Sequence, residues 1–294
     1  MHKYMRAIGF SEMNDRKQIR RLINGIVIDS DCREYTTNDE DIIVAQFSKD
    51  FAENIGIGVC GEFDEEDKFS YEYYCPYLRP TNVTSNEEIC LERHACQESY
   101  VGICDETRVG VSLIFYVQNM IPYIKLKAGQ KNPLKNATLS LSALSINGTI
   151  LMPIFKSEKV TANIAKDTQK RNTLIAAARN GDADAMEALA LKDMDIYSNI
   201  SRKMLKEDIY SLVDTFFMPY GVECDHFSIM AEILEYKLVK NFLTEEEIYK
   251  MTVSCNDMVF DICINKKDLL GEPEVGRRFK GSIWVQGYIN YNSN

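Results

Sequence analysis

The chain has 294 residues, of which 34 are Lys or Arg and 44 are Asp or Glu, so its formal net charge is −10. Nucleic-acid binding needs a local excess of positive charge, and this balance argues against such a surface spread over the whole molecule. Apolar residues make up 45% of the chain and charged residues 27%, proportions typical of a globular protein rather than a disordered or membrane-embedded one. The length predicts two domains, each with its own core.

The start of the chain and its cysteines bear on location. The first ten residues lack the apolar run of a secretory signal, and the longest apolar stretch, residues 109–126, is interrupted by polar residues and Pro122, which makes it too short to span a bilayer. That stretch predicts a buried strand. The nine cysteines are an odd number, and those inside apolar runs are typical of reduced thiols. We therefore predict a cytoplasmic protein with free thiols and no membrane association.

One helix and a series of strands are predicted for the N-terminal half. Apolar residues recur at helical spacing over residues 15–24, with Ser11 or Asn14 as N-cap and Gly25 as terminator. Short runs rich in Val, Ile, Phe, Tyr and Cys then predict strands over residues 42–47, 55–63, 69–77, 99–104, 109–117, 137–146 and 150–155. Asn147-Gly148 predicts a hairpin between the last two, because a type I′ turn needs positive φ at both central residues.

The middle of the chain has a different composition. Between about residues 156 and 206, Ala, Lys, Asn, Asp and Met predominate and no strand-like run occurs, which predicts helices. Asn180-Gly181 is expected to end one helix in the left-handed conformation, and Asp182 or Asp184 to cap the next.

Strand-forming residues return after residue 207. Residues 208–218 fit both a helical face and a strand, and we favour the strand. Further strands are predicted over residues 227–239, 248–255, 258–264 and 279–289, with Asn256-Asp257 as a two-residue turn. The pattern predicts an α+β fold of two mainly antiparallel-sheet lobes joined by a helical segment. The domains are then an N-terminal α+β sheet domain (1–156), a helical connector (157–206) and a C-terminal antiparallel β domain (207–294).

Three stretches carry a resemblance to a known family: residues 1–11 (MHKYMRAIGFS), residues 216–225 (FFMPYGVECD) and residues 265–287, which begin NKKDLLGEP and end GSIWVQG. They resemble a bacterial family of domains of unknown function, family 3881, from Clostridia and related Gram-positive anaerobes. The resemblance extends over the whole chain. It implies a cytoplasmic bacterial protein, and no reaction, cofactor or catalytic residue comes with it.

The first candidate site is a cluster of cations just before the last predicted strand. The span of four residues from 277 to 280 contains Arg277, Arg278 and Lys280, although the chain as a whole is acidic. Such side chains donate charge-assisted hydrogen bonds. Gly276 and Gly281 flank them and would let main-chain N–H groups approach a ligand. This pattern predicts a site for a small anionic ligand. The alternative is a loop with solvated cations, since no phosphate-binding fingerprint is present.

The second candidate is a metal site. His94 with Cys96, and Cys224 with His226, each have one residue between them, so in extended chain each pair would point to one face and the two pairs would form a Cys2His2 set. Structural zinc sites usually keep two or more residues between their cysteines, and these pairs fall in different predicted domains. Buried thiols beside surface histidines are the simpler interpretation, and we predict no bound metal or other cofactor.

Catalysis is the weaker of two functional hypotheses. Three histidines in the chain leave few general bases, and no nucleophile signature surrounds any Cys or Ser. Paired-carboxylate chemistry remains open because Asp and Glu are abundant. We predict a non-catalytic module that binds an unknown partner protein or a small anionic ligand. The alternative is an enzyme whose site lies in the cleft between the two lobes.

Overall fold

A computed structural model describes residues 2–13, 15–94, 98–129, 132–153, 170, 173–204 and 213–291. Its helices are a 3-10 helix at Lys3–Ile8, α1 (Arg16–Ile28), α2 (Met120–Gly129) and α3 (Ala183–Met204), with a short 3-10 turn at Lys266–Asp268, and residues 173–179 are also helical. Its strands are β1 (Cys32–Thr37), β2 (Ile43–Ala52), β3 (Ile55–Phe63), β4 (Phe69–Leu78), β5 (Ile89–Arg93), β6 (Tyr100–Cys104), β7 (Leu113–Val117), β8 (Thr138–Leu151), β9 (Phe216–Pro219), β10 (His226–Lys240), β11 (Glu247–Cys255), β12 (Met258–Asn265), β13 (Leu269–Leu270) and β14 (Arg278–Asn290). The mixed α+β composition agrees with the prediction.

The strands form two sheets. β1 to β4 make an antiparallel meander in chain order. The second sheet has ten strands, and five of them, β8, β12, β11, β10 and β14, close into a ring because β14 pairs with both β10 and β8. β7, β6 and β5 continue this sheet outward from β14. Ring closure gives each of the five strands a neighbour on both sides, which satisfies main-chain groups that an open sheet leaves unpaired at its edges.

The arrangement in two separate lobes is not confirmed. β8 precedes the helical segment, yet it pairs with β12 and β14, which follow that segment. One sheet therefore contains strands from both predicted sheet domains. Buried main-chain groups must find partners, and here the partners are far apart in sequence, which composition does not reveal. The predicted boundaries at 156/157 and 206/207 lie outside the described residues and stay predictions, while the described part of the connector is helical.

The predicted hairpin at Asn147-Gly148 is wrong, because residues 138–151 form the single strand β8. The pairing of β8 with β14 skips one residue here, which is a β-bulge. Asn147 Oδ1 accepts a hydrogen bond from Ser282 N at 3.1 Å. Gly148 is required because a Cβ at this position would lie 2.5 Å from Phe279 Cε2. The Asn-Gly pair thus marks a bulge and a close approach of side chain to main chain, rather than a turn.

Other local predictions are confirmed or corrected. Gly181 has φ +87, as expected for a left-handed helix end, and Asp182 Oδ1 caps α3 by accepting from Ala185 N at 3.1 Å. Asn256 and Asp257 both have positive φ between β11 and β12, which confirms that turn. Phe216–Pro219 is a strand, so the part of 208–218 that forms a described element takes the favoured form, and residues 208–212 lie outside the described ranges.

Three predicted boundaries are wrong. α1 is capped by Asp15, whose side chain accepts from Lys17 N, and it continues past Gly25 to Ile28. Its packing against the four-stranded sheet outweighs the low helix propensity of one glycine. The apolar stretch 109–126 is part strand and part helix, β7 followed by α2. Periodicity does not separate a short buried strand from a short helix when most residues of both are apolar. The strands β1 and β5 are not predicted by the sequence patterns.

The 3-10 helix fixes the N-terminal end of the chain against the ring. Tyr4, Met5 and Ile8 are buried in it, and it packs on β8 and β12. Asn241 Nδ2 donates to Ile8 O at 2.9 Å, and Gly9 ends the helix with φ +86. This anchoring places the residues at the start of the helix beside the middle of β14.

Buried amides join the two sheets. Gln286 on β14 is fully buried; its Nε2 donates to Pro76 O at 2.8 Å, and its Oε1 accepts from Gln118 Nε2 at 2.8 Å and from Leu78 N at 3.3 Å. Ser142 Oγ donates to Leu78 O at 2.6 Å. We call Gln118, Ser142 and Gln286 the amide cluster. No buried nitrogen or oxygen of these three described side chains lacks a hydrogen-bond partner, so the cluster is complete without any further molecule.

Candidate functional site

A depression of about 480 Å³ lies where the 3-10 helix meets the start of β10 and the middle of β14. It is lined by the residues His2, Lys3, Tyr4, Glu223, Asp225, His226 and Trp284, which we call the histidine–tryptophan site. His226 and Trp284 are direct partners in the antiparallel pairing of β10 with β14, so their side chains emerge side by side. The Tyr4 ring stacks on Trp284 with 5.3 Å between ring centroids.

Asp225 fixes the orientation of both rings. Its Oδ1 lies 2.8 Å from His226 Nδ1, and its Oδ2 accepts from Trp284 Nε1 at 2.6 Å. Burial raises the pKa of Asp225, but the hydrogen bonds from His226 and Trp284 outweigh it and the net pKa is lowered. The carboxylate is therefore ionised and can only accept hydrogen bonds. It follows that the proton between these two atoms is on His226 Nδ1, which leaves Nε2 as the ring nitrogen without a hydrogen-bond partner among the described residues.

The Nε2 atom of His226 is the exceptional atom of the site. His226 is 8% exposed, and Nε2 is buried without a hydrogen-bond partner among the described residues. Glu223 Oε2 lies 3.0 Å away but is not aligned for a hydrogen bond. Leaving a buried polar atom unpaired costs about 1–3 kcal/mol. Such an atom needs an explanation, and one explanation is a ligand that donates to it.

His2 contributes a second unpaired ring nitrogen. Its Nδ1 is buried without a partner among the described residues, and its ring centroid lies 4.8 Å from that of Trp284. Burial, reinforced by the charge of Lys3, lowers the pKa of His2 to about 4. His2 is thus neutral near neutral pH, and its ring acts as an apolar wall with one open acceptor or donor position.

Lys3 and Glu223 form the outer rim. Lys3 Nζ donates to Glu223 Oε2 at 2.8 Å and lies 5.3 Å from the centroid of the Tyr4 ring. The hydrogen bond from Lys3 lowers the pKa of Glu223, which keeps this carboxylate ionised. The site therefore combines aromatic faces, two carboxylates and two imidazoles within one depression.

The cations of the predicted anion site have different partners in the structure. Arg278 is 6% exposed and uses Nε to donate to Met152 O at 3.0 Å and Nη1 to donate to Val213 O at 2.8 Å. Arg277 forms an ion pair with Glu274. The main chain thus takes up two donor nitrogens of Arg278, and a carboxylate takes up the charge of Arg277. Anion binding by these residues stays a prediction.

The glycines of that cluster have structural roles, and Lys280 is also engaged. Gly276 has φ +84 and its N–H donates to Ile233 O at 2.8 Å. Gly281 lies in the ladder between β10 and β8, where a Cβ would approach Asn147 O to 2.5 Å. Lys280 on β14 has an interaction of its own. The two glycine positions follow from main-chain geometry alone.

The structure separates His94 from the other described residues of the predicted metal set. His94 follows β5 at the outer edge of the ten-stranded sheet, and three strands separate β5 from β10, which begins at His226. Cys224 is exposed, and Cys96 lies outside the described residues. Within the described ranges no three His, Cys, Asp or Glu side chains are placed to hold a metal ion.

A smaller cleft of about 260 Å³ lies between the two sheets. Cys32, Tyr77 and Arg79 line it, and Arg79 Nη1 pairs with Asp50 Oδ2 at 2.9 Å. Burial raises the pKa values of Cys32 and Tyr77, so both stay protonated near neutral pH. A protonated thiol is a poor nucleophile, and this cleft does not favour covalent catalysis.

Sequence reasoning found only part of the site. The spacing in the sequence selects His226 and Cys224, whereas Trp284 enters only within the stretch 265–287 that carries the family resemblance. His2 and Tyr4 join the site because the 3-10 helix packs against the ring. No spacing rule relates residue 2 to residue 284, but the chain has a single Trp and three His, and this rarity was the available signal.

Comparison with known proteins gives a family without a function. A family model described as a domain of unknown function from an E. rectale gene (DUF3881) matches residues 5–287. That match confirms the predicted family over nearly the whole chain. Neither a curated protein nor a solved structure matches the chain. None of the described helices is long and apolar enough to cross a bilayer.

Proposed function

The chain belongs to this family of domains of unknown function, and we propose from the geometry that it is a non-catalytic module that binds a small ligand at the histidine–tryptophan site. The observation that carries the proposal is the buried Nε2 atom of His226, which lacks a partner among the described residues. The eight cysteines within the described ranges are free thiols, which supports a reducing, cytoplasmic compartment for the module.

The orientation of His226 supports a ligand with a hydrogen-bond donor. Asp225 holds the imidazole in the tautomer that offers a lone pair at Nε2. A ligand N–H or O–H that reaches this lone pair removes the desolvation penalty of the free protein. The side chains of Tyr4 and Trp284, which line the depression, add apolar contact area.

Binding is a better match to this site than catalysis. An imidazole oriented by a carboxylate is one part of a general-base arrangement, and this pair is the observation that favours the enzyme hypothesis. The described side chains that line the depression include no Ser, Thr or Cys that His226 could activate. A base without a nucleophile or an identified reacting group supports recognition, so the enzyme remains the second candidate.

The test uses Trp284, the only Trp in the chain, because its fluorescence reports directly on the site. The protein is titrated with amines, amides, polyols and phosphorylated sugars. We expect a saturable change in emission with at least one class that carries donors. His226→Phe should abolish that change, and His94→Phe, which alters an exposed histidine elsewhere, should leave it intact. No saturable response to any class, or an unchanged response in His226→Phe, contradicts the proposal.

A further inference from the structure

We propose that the ligand of the histidine–tryptophan site carries an organic ammonium group. In the free protein, the Lys3 ammonium partly fills the position that this group occupies in the complex. The inference rests on the proposed function and specifies its ligand class. It joins three features of the depression: its negative charge, its aromatic faces and the internal cation at its rim.

The acceptors in the depression match an ammonium group. Glu223 and Asp225 supply two carboxylates, and His226 supplies the Nε2 lone pair. An ammonium has three hydrogen-bond donors and no acceptor, so it fits a site in which the groups available for hydrogen bonding are acceptors. Glu223 Oε2 and His226 Nε2 are 3.0 Å apart, and one nitrogen can therefore donate to both at normal hydrogen-bond distances. Two acceptors held this close repel each other, and a donor that bonds to both of them relieves that repulsion.

The aromatic rings favour the same charge. Cations are attracted to the faces of Trp and Tyr rings, and the attraction grows where water is excluded. Trp284 and Tyr4 are 4% and 2% exposed, so protein covers most of each ring, and the contact open to a cation is the one that Lys3 makes with the Tyr4 ring. An anionic ligand meets the opposite situation here, because both ionised carboxylates repel it.

Lys3 shows how a cation fits at the rim. Its Nζ makes a hydrogen bond of 2.8 Å to Glu223 Oε2 and lies 5.3 Å from the Tyr4 ring centroid. These are the two contacts expected of a bound alkylammonium. Lys3 does not satisfy His226 Nε2, which stays unpaired. A free amine that displaces Lys3 gains this third contact, and Lys3, whose side chain is 49% exposed, moves into solvent.

The experiment is a Trp284 fluorescence titration with n-butylammonium, with n-butanol and butyrate as neutral and anionic probes of equal chain length. It compares the unmodified protein with Lys3→Met, which keeps an unbranched side chain one atom shorter and removes the charge. A tethered group competes at an effective concentration in the millimolar range or above, so we expect Lys3→Met to bind n-butylammonium about tenfold more tightly. Lys17→Met, which removes an exposed lysine on α1, is the matched control and should not change binding.

Glu223→Gln completes the series. It keeps the size of the side chain and removes its charge, and we expect it to weaken n-butylammonium binding about tenfold while leaving the weak binding of n-butanol unchanged. Circular dichroism and the thermal midpoint confirm that each variant is folded.

The results separate the two levels of the proposal. If n-butanol or butyrate binds as tightly as n-butylammonium, the ligand class is wrong while the binding function stands. If n-butylammonium binds the unmodified protein and Lys3→Met equally, the role of Lys3 is wrong. If no probe and none of the wider panel of amines, amides, polyols and phosphorylated sugars changes Trp284 emission in either protein, the binding function itself is overturned.

Discussion

The amide cluster and the histidine–tryptophan site differ in whether the hydrogen bonds of their buried polar groups are complete. In the amide cluster, Gln118 and Gln286 bind each other and the main chain of β4, and the buried nitrogens and oxygens of their side chains are all paired. In the histidine–tryptophan site, ring nitrogens of His2 and His226 are buried and have no partners in the described part of the chain. Both clusters join elements that are distant in sequence.

The difference separates structural from functional polar groups. A complete network stabilises one arrangement of the sheets and gains nothing from another molecule. An incomplete one carries a cost that folding alone does not remove. We therefore expect substitutions in the amide cluster to reduce the free energy of unfolding, and substitutions in the histidine–tryptophan site to act mainly on binding and on pH dependence.

The largest effect is expected for Gln286→Leu. The change removes the hydrogen bonds that the fully buried Gln286 makes with Pro76 O, Leu78 N and Gln118 Nε2. Gln118 Nε2 keeps its bonds to Leu78 O and Ser142 Oγ. We expect a loss of about 3–4 kcal/mol in the free energy of unfolding, measured by urea denaturation. Gln18→Leu, on the exposed face of α1, serves as control and should change it by less than about 0.5 kcal/mol. A loss below about 1 kcal/mol for Gln286→Leu would mean that the cluster is not a structural unit.

The pH dependence of stability tests the burial of His2. Folded His2 has a pKa of about 4, lowered from 6.5, so below the ordinary value the unfolded chain binds a proton that the folded chain does not. Stability should therefore fall as the pH is lowered from about 6.5 to about 4, by at most about 3 kcal/mol. Carboxylates with lowered pKa, such as Glu246, add their loss only at the acidic end of this range.

The control for that measurement is His2→Phe, which keeps a planar ring against Trp284 and cannot titrate. Its unfolding free energy should be nearly constant over the upper part of the range, between the ordinary pKa of His and the carboxylate region. An equally steep fall in the variant would assign the pH dependence to other groups.

Arg278 extends the comparison to a third buried polar group. Because its guanidinium donates to Met152 O and Val213 O, we expect Arg278→Met to lower the free energy of unfolding by about 1–3 kcal/mol. Arg277→Ala, which removes a surface ion pair with Glu274, should cost less than about 1 kcal/mol. Thermal stabilisation by millimolar phosphate that is lost in Arg277→Ala would instead support the anion site predicted from the sequence.

The smallest effect on stability is expected within the histidine–tryptophan site. At neutral pH, His2→Phe removes a buried nitrogen without a partner among the described residues and keeps the ring contact with Trp284. We expect the free energy of unfolding to stay within about 0.5 kcal/mol of its original value or to rise slightly. A loss as large as that of Gln286→Leu would show that both clusters are structural and would remove the distinction between them.

Local rules predicted the elements well and their assembly poorly. Strand patterning located β3 and the turn at Asn256-Asp257, because alternation and turn chemistry are local properties. The same rules placed a hairpin at Asn147-Gly148, where the pairing of β8 with β14 outweighs the turn preference of the dipeptide. Ring closure depends on partners more than a hundred residues apart, and such pairings leave no mark in local composition.

The candidate site was predictable only in fragments. The spacing of Cys224 and His226 selected His226, but its chemistry depends on Asp225, which binds its Nδ1, and on Tyr4 and Trp284, which form its walls. The cations that looked most functional in the sequence are engaged in the structure, since Arg278 is buried against main-chain carbonyls. Charge in a sequence indicates where a donor is, and only the fold shows whether the donor is already used.

The central claim is that His226 donates from Nδ1 to Asp225 and keeps a buried, open acceptor at Nε2 for the ligand. Long-range ¹H–¹⁵N NMR of ¹⁵N-labelled histidines tests it directly, because the chain has only three histidines to assign. At slightly alkaline pH we predict that the His226 Nε2 resonance has the shift of an unprotonated ring nitrogen, and that n-butylammonium moves it upfield as a hydrogen bond forms. A protonated Nε2, in either the other tautomer or an imidazolium, would contradict the account.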